Sequence, residues 1–132
     1  PLTGAVIVAT PQEVALSDAR RAVRMFQQLG VDVLGVVENM SYFVCEHGTE
    51  YDIFGRGGAQ MMAQEMGLAF LGQIPIDMRV RINSDAGTPY GNFEPGLIAN
   101  EPLRKMVQTL AGQISVRNVT RPQAKRVSLQ VS

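Results

Sequence analysis

A chain of 132 residues with 45% hydrophobic and 18% charged residues has the composition of one soluble globular domain and the length to bury a real core. No apolar run approaches the roughly 20 residues of a membrane span, no signal peptide opens the chain, and one cysteine excludes an internal disulfide, so the cytoplasm is the default compartment. The net charge of zero hides an imbalance: residues 1–101 hold six Lys/Arg against twelve Asp/Glu, and residues 102–132 hold six Lys/Arg and no acid, so the basic end is expected to dock on its own body or on an acidic partner.

Pro1-Leu2-Thr3-Gly4 runs straight into a core-type strand with no initiator Met, and the chain is expected to be cut from something longer. Gly4 to Thr10 reads as that strand. Thr10-Pro11-Gln12-Glu13 has the form of a capping box, with the Thr10 hydroxyl accepting from the Glu13 backbone N–H and Pro11 where a missing N–H costs nothing. Ala15, Ala19, Ala22, Val23, Phe26 and Leu29 follow at helical spacing, and Gly30 supplies the stop. Val31 to Val37 is a β-branched, nearly continuous apolar run, broken by Glu38-Asn39. A strand apolar on both sides is covered on both faces, as in a parallel sheet flanked by helices, and strand, helix and strand make a right-handed βαβ unit.

The loop beyond Asn39 holds the sole cysteine, Cys45, and the sole histidine, His47. Gly55-Arg56-Gly57-Gly58 then precedes a short helix with Ala59, Met62, Ala63 and Met66 inward. Phe70 to Ile76 is a third buried strand ended by Pro75. Asp77 is expected to cap a short helix through Ile82, with Asn83 to Pro89 as a loop and Gly91 to Gly96 irregular. Asn100 is expected to cap a last helix carrying Leu103, Met106, Val107, Leu110 and Ile114. The domain thus covers residues 1–114. Residues 115–132 are a basic tail in which Val127, Leu129 and Val131 alternate with polar residues, as an added edge strand or a disordered end.

Three polar signals fall at the carboxyl ends of three strands: Thr10-Pro11, Asn39 and Pro75-Ile76-Asp77. Ligands collect at that rim of an open α/β sheet. An Asn amide offers a donor and an acceptor side by side, which suits the N6/N7 edge of adenine. Each signal also has a plain reading, as helix cap or turn former. Gly55-Arg56-Gly57-Gly58 could cradle a phosphate, but it lacks the Lys and Ser/Thr of a P-loop and reads first as a helix start. Cys45 and His47 could ligate a metal, yet two ligands are too few for a closed site unless a two-fold dimer doubles them. One histidine leaves no persuasive hydrolase arrangement, and a basic tail without interleaved aromatics argues against nucleic-acid binding.

Taken together, GAVIVATPQEVALSDARRAVRMF, GVDVLGVVENMSYFVC, EYDIFGRGGA, LGQIPID and INSDAGTP resemble the C-terminal half of the Mrp/Nbp35 (ApbC-like) iron–sulfur cluster carriers, deviant P-loop ATPases related to MinD and ParA. The resemblance spans about Leu2 to Ile114. It implies part of a doubly wound parallel sheet without its N-terminal Walker A half, in a cytoplasmic homodimer that binds ATP and Mg²⁺ and serves iron–sulfur client apoproteins. It implies that Asn39 contacts adenine, that Pro75, Ile76 and Asp77 flank the base, and that Thr10 and Pro11 lie beside the switch region near the phosphates. In the family a C-x-x-C pair holds a bridging [4Fe–4S] cluster.

Two departures follow. The only lysines, Lys105 and Lys125, sit in no Gly-rich loop, and the Walker B Asp is also missing, so this chain alone should not hydrolyse ATP. Where the family reads C-P-x-C-G, this chain reads Cys45-Glu46-His47-Gly48, so a dimer offers two thiolates rather than four. A MinD/ParA-like dimerisation switch without a cluster is the alternative function, and a stand-alone binding module a third. The strand at Gly4 would leave an open edge, so this chain is expected to dimerise or swap elements, with the segment around Val127 to Val131 as one cover.

Overall fold

The computed structural model describes residues 2–120. In chain order it holds β1 (Ala5–Ala9), α1 (Glu13–Gln28), β2 (Val33–Glu38), β3 (Phe43–Val44), β4 (Glu50–Tyr51), α2 (Gly58–Glu65), β5 (Phe70–Gln73), α3 (Met78–Asp85), a 3-10 helix over Pro89–Phe93, and α4 (Asn100–Thr120). The apolar run sits at the centre. Every residue of β2 is buried, with β1 and β5 parallel to it on either side in the order β1-β2-β5. A strand flanked by strands and covered above and below has no solvent face, which is why its sequence shows no alternation.

Helices α1 and α2 share one face of this sheet. Leu16, Ala19 and Val23 of α1 and Ala59, Met62 and Ala63 of α2 close over Ile7, Ala9, Val33 and Val36. Helix α4 takes the other face, where Leu103, Met106 and Leu110 pack on Val37, Leu71 and Ile74. The result is a three-layer α/β sandwich with a parallel sheet, part of a doubly wound fold. Gly35 in β2 has a packing role: a Cβ there would lie 2.6 Å from Leu71 Cγ and 2.9 Å from the Ala69 carbonyl oxygen. Its absence lets β5 close on β2. Val8 of β1 is 60% exposed, and no strand pairs with the outer edge of β1 among the described residues.

Several boundaries differ from the sequence reading. The capping box does not form. Helix α1 starts at Glu13 with Gln12 extended before it and no side-chain cap, and the Thr10 hydroxyl donates instead to Gln12 Oε1 at 3.3 Å. Pro11 is buried, and its carbonyl oxygen approaches Gly58 closely enough to stand 3.1 Å from a Cβ placed there. Packing therefore holds the Thr10–Gln12 stretch outside the helix. Strand β5 stops at Gln73 rather than Ile76, since Pro75 has no N–H for a ladder. Ile76 forms an isolated parallel bridge to Phe43 instead.

Further on, α3 continues through Asn83–Asp85 rather than ending at Ile82, with the Ser84 hydroxyl donating to the Val80 carbonyl. Pro89–Phe93 of the expected loop and irregular stretch are 3-10 helical. Asn100 is the first residue of α4 rather than its cap, and its Oδ1 accepts from Arg104 Nε at 2.7 Å. Helix α4 runs on to Thr120, so residues 115–120 are helix and not tail. Within that extension Arg117 pairs with Asp32 at 3.5 Å, a contact of the basic end with the acidic body. The strand expected over Val127–Val131 lies outside the described residues. Among the described residues no helix is long and apolar enough to cross a membrane.

Candidate functional site

Parallel strands put their carboxyl ends on one side, so the three polar signals meet there. The Asn39 N–H donates to the Ala9 carbonyl at 2.8 Å, which seats the end of β2 beside Thr10-Pro11. The loop after Asn39 lies along the segment after β5: the Ser41 N–H donates to Ile74 O at 2.9 Å, and the Ile76 N–H donates to Tyr42 O at 2.7 Å. Asn39 and Ile76 thus share a rim.

The individual side chains divide between structural and available. The hydroxyl of Thr10 is directed at Gln12, and Pro11 and Pro75 are buried. Asp77 spends both oxygens on the fold: Oδ1 accepts from the Arg79 N–H at 2.8 Å as the cap of α3, and Oδ2 accepts from the Ala99 N–H at 3.3 Å. Asn39 is different. Its Oδ1 accepts from the Met40 N–H at 3.0 Å, and its amide nitrogen makes no hydrogen bond among the described residues. A carbonyl oxygen has a second lone pair, so the amide retains a donor and an acceptor for a planar base.

Glu38, read from sequence only as a polar break, is fully buried. Its Oε1 accepts from the Ala59 N–H at 2.9 Å. Its Oε2 accepts from the Gly57 N–H at 3.0 Å and from the Ser41 hydroxyl. The Gly57 and Ala59 N–H groups belong to the start of α2, whose own N-cap, Gly57, supplies no side chain for them. The Gly55–Gly58 stretch is therefore not open as a phosphate cradle, because a carboxylate of the chain already occupies it. A signal was present: an acid closing a strand buried on both faces needs donors, and a glycine-led helix start offers them.

The loop with Cys45 is a β-hairpin. Strands β3 and β4 pair antiparallel, with Cys45 N–H donating to Thr49 O at 3.0 Å and Gly48 N–H to Cys45 O at 2.9 Å. The backbone of His47 hydrogen-bonds the Cys45 thiol and lowers its pKa below the usual thiol value; partial burial opposes this and Thr49 assists. His47 is 82% exposed and faces Glu46 at 3.5 Å. Among the described residues no three Cys, His, Asp or Glu side chains gather as a metal site. The donor set of one chain therefore does not fit a four-thiolate cluster.

Arg56 braces the hairpin. Its Nη1 pairs with Glu50, its Nε donates to Gln73 at 3.2 Å, and its guanidinium lies 4.2 Å from the centre of the Tyr42 ring. Burial, aided by Glu50, raises the Tyr42 pKa, while Arg56 opposes the shift. Beside this brace a cleft of about 560 Å³ runs between Gln60 and Arg56 on one wall and Glu101 and Lys105 on the other, over Gly72 of β5. Thr10, Asn39, Ile76 and Asp77 do not line this cleft.

The chain matches the family described as NUBPL iron-transfer P-loop NTPase over residues 1–111. It is 54% identical over 120 residues to the iron–sulfur cluster carrier protein of Deinococcus radiodurans, covering 90% of this chain and 34% of that protein. Among solved structures it resembles the nucleotide-binding protein of Archaeoglobus fulgidus in complex with ADP, at 40% identity and a TM-score of 0.61, over 70% of this chain and 38% of that one. The cell division ATPase MinD of Pyrococcus furiosus shares the fold at 20% identity and a TM-score of 0.64, over 83% of this chain and 43% of that one. The chain spans about a third of the length of the curated relatives it matches. The matched stretch, the parallel sheet and the ordered motifs place this chain in the NUBPL iron-transfer P-loop NTPase family.

Proposed function

We propose that this chain supplies the base-gripping rim and the dimer-loop hairpin of an ATP-dependent iron–sulfur cluster carrier that works as a cytoplasmic homodimer. The observation that carries the reading is the meeting of three strand ends around the Asn39 amide, whose nitrogen has no hydrogen-bond partner among the described residues. In this reading Asn39 grips the N6/N7 edge of adenine, and the backbone of Pro75–Asp77 borders the ring. Thr10 and Pro11 shape the neighbouring rim, while phosphates and Mg²⁺ are held by residues outside this chain. The cluster is cargo. Cys45, half-buried beside the hairpin tip, contributes one thiolate per subunit, with the remaining ligands coming from the client or from elsewhere, and His47 is a weaker second donor.

Titrating the ¹⁵N-labelled chain with adenosine tests the base reading. The Asn39 side-chain amide and the Ile76 and Asp77 N–H signals are expected to shift with adenosine and not with inorganic triphosphate. Asn39→Ala is expected to weaken adenosine binding about tenfold, within the roughly 1–3 kcal/mol of a bidentate amide–adenine pair. Equal responses to adenosine and triphosphate would sink the role. Anaerobic reconstitution with iron and sulfide tests the cargo: a visible cluster absorbance lost in Cys45→Ser supports the carrier. Its absence in the unaltered chain points to the MinD/ParA-like dimerisation switch.

A further inference from the structure

We propose that Glu38 is a positioning residue which sets the Asn39 loop and couples it to the Cys45 hairpin; the base-binding part rests on the reading of Asn39 given above. The first ground is connectivity. The segment carrying Cys45 departs from Ser41 and returns at Gly57, and the Ser41 hydroxyl and the Gly57 N–H both bond to the same oxygen, Oε2 of Glu38. The other oxygen holds Ala59 of α2. One fully buried carboxylate therefore clasps both ends of the hairpin segment.

The second ground is backbone geometry. Met40 has φ of +54°, alone among the described non-glycine residues in lying at positive φ, a region that L side chains enter at a cost. It is held there from both sides. Before it, Glu38 is fixed in the sheet, its carbonyl accepting from Ile74 N–H at 2.8 Å; after it, Ser41 is fixed by Ile74 O and by Glu38 Oε2. At the entry to this left-handed turn the Met40 N–H donates to Asn39 Oδ1 at 3.0 Å, which fixes the orientation of the Asn39 amide. Releasing the Ser41 hydroxyl removes one of the two bonds that fix Ser41 on the far side of Met40.

All the donors on this carboxylate are uncharged, and none of the ion pairs among the described residues includes it. Neutral glutamine at this position must present its NH₂ to at least one N–H or O–H donor. Glu38→Gln is thus expected to disrupt the clasp without changing its size. Ser41→Ala is milder, since it frees the loop while leaving Gly57 and Ala59 bonded.

The experiment compares the unaltered chain, Ser41→Ala and Glu38→Gln by ¹⁵N relaxation, amide exchange and adenosine titration. Ser41→Ala should increase fast motion at residues 39–41 and keep the exchange protection of the Ala59 amide. It should weaken adenosine about five- to tenfold, the low end of coupling factors between linked sites. The unaltered chain should show adenosine-induced shifts at Cys45–Thr49, and Ser41→Ala should abolish them. Glu38→Gln should add loss of protection at Gly57 and Ala59. A carboxylate that only caps α2 predicts the reverse for Ser41→Ala: unchanged loop order and unchanged adenosine affinity, which would overturn the proposal. If the unaltered chain ignores adenosine, the base reading fails, and loop order in Ser41→Ala alone decides the positioning role. If Glu38→Gln does not fold, Ser41→Ala still carries the decision.

Discussion

Leu16→Ala is expected to destabilise this chain by about 3 kcal/mol, read as a lowered midpoint of urea unfolding at an unchanged slope. Leu16 is 1% exposed, on the face of α1 that meets α2 and the sheet, and truncation removes buried methyl groups while leaving a hole. Against the roughly 5–15 kcal/mol total of a small domain this is a large fraction. The same site provides an internal check. A Cβ on Gly58 would stand 2.6 Å from Leu16 Cδ1, so Gly58→Ala alone is expected to be destabilising as well. In the Leu16→Ala background the side-chain clash is gone and only the Pro11 carbonyl, 3.1 Å from that Cβ, still presses on it, so the double variant should be more stable than the sum of the two losses allows. Strict additivity would show that the two residues do not compete for the same volume.

Gly35→Ala is expected to cost about 3 kcal/mol or more, for the opposite reason. The added methyl meets the Leu71 side chain and also the backbone oxygen of Ala69, and a main chain cannot move aside as a rotamer can. Since Val36 N–H donates to that same Ala69 oxygen at 2.9 Å, the clash falls on the ladder joining β2 to β5. Leu71, 2% exposed, has its own truncation cost, so the test is the effect of Gly35→Ala in a Leu71→Ala background: it should be smaller than in the unaltered chain yet still destabilising, because the side chain is cleared and the carbonyl is not. No loss on adding Gly35→Ala to Leu71→Ala would mean that the side chain was the whole obstacle.

What could be read beforehand follows from where each residue's free energy is decided. Val33 to Val37 announce a strand covered on both faces because burial alone fixes their chemistry, and the inward set Ala59, Met62 and Ala63 of α2 is as plain. Boundaries were less legible, since remote packing decides them. Thr10 looks like a cap until Pro11 is buried beneath α2, and Asn100 looks like one until Arg104 claims its oxygen. The rim was legible as three strand ends, whereas the division of labour on it was not. Nothing local to Asp77 says that it serves two helices, and Glu38 meets its donors only after a hairpin has intervened. The hairpin itself was hidden, as two-residue strands leave no periodicity to detect.

The double duty of Asp77 has a practical corollary for anyone mapping this rim by mutagenesis. One oxygen fastens the first turn of α3 and the other an amide just ahead of α4, so replacing this side chain unpins two rods at once. Weakened adenosine binding in such a variant would therefore not distinguish lost scaffolding from a lost ligand contact. Only a readout that follows the two helices separately, such as amide exchange at Arg79 and Ala99, tells them apart.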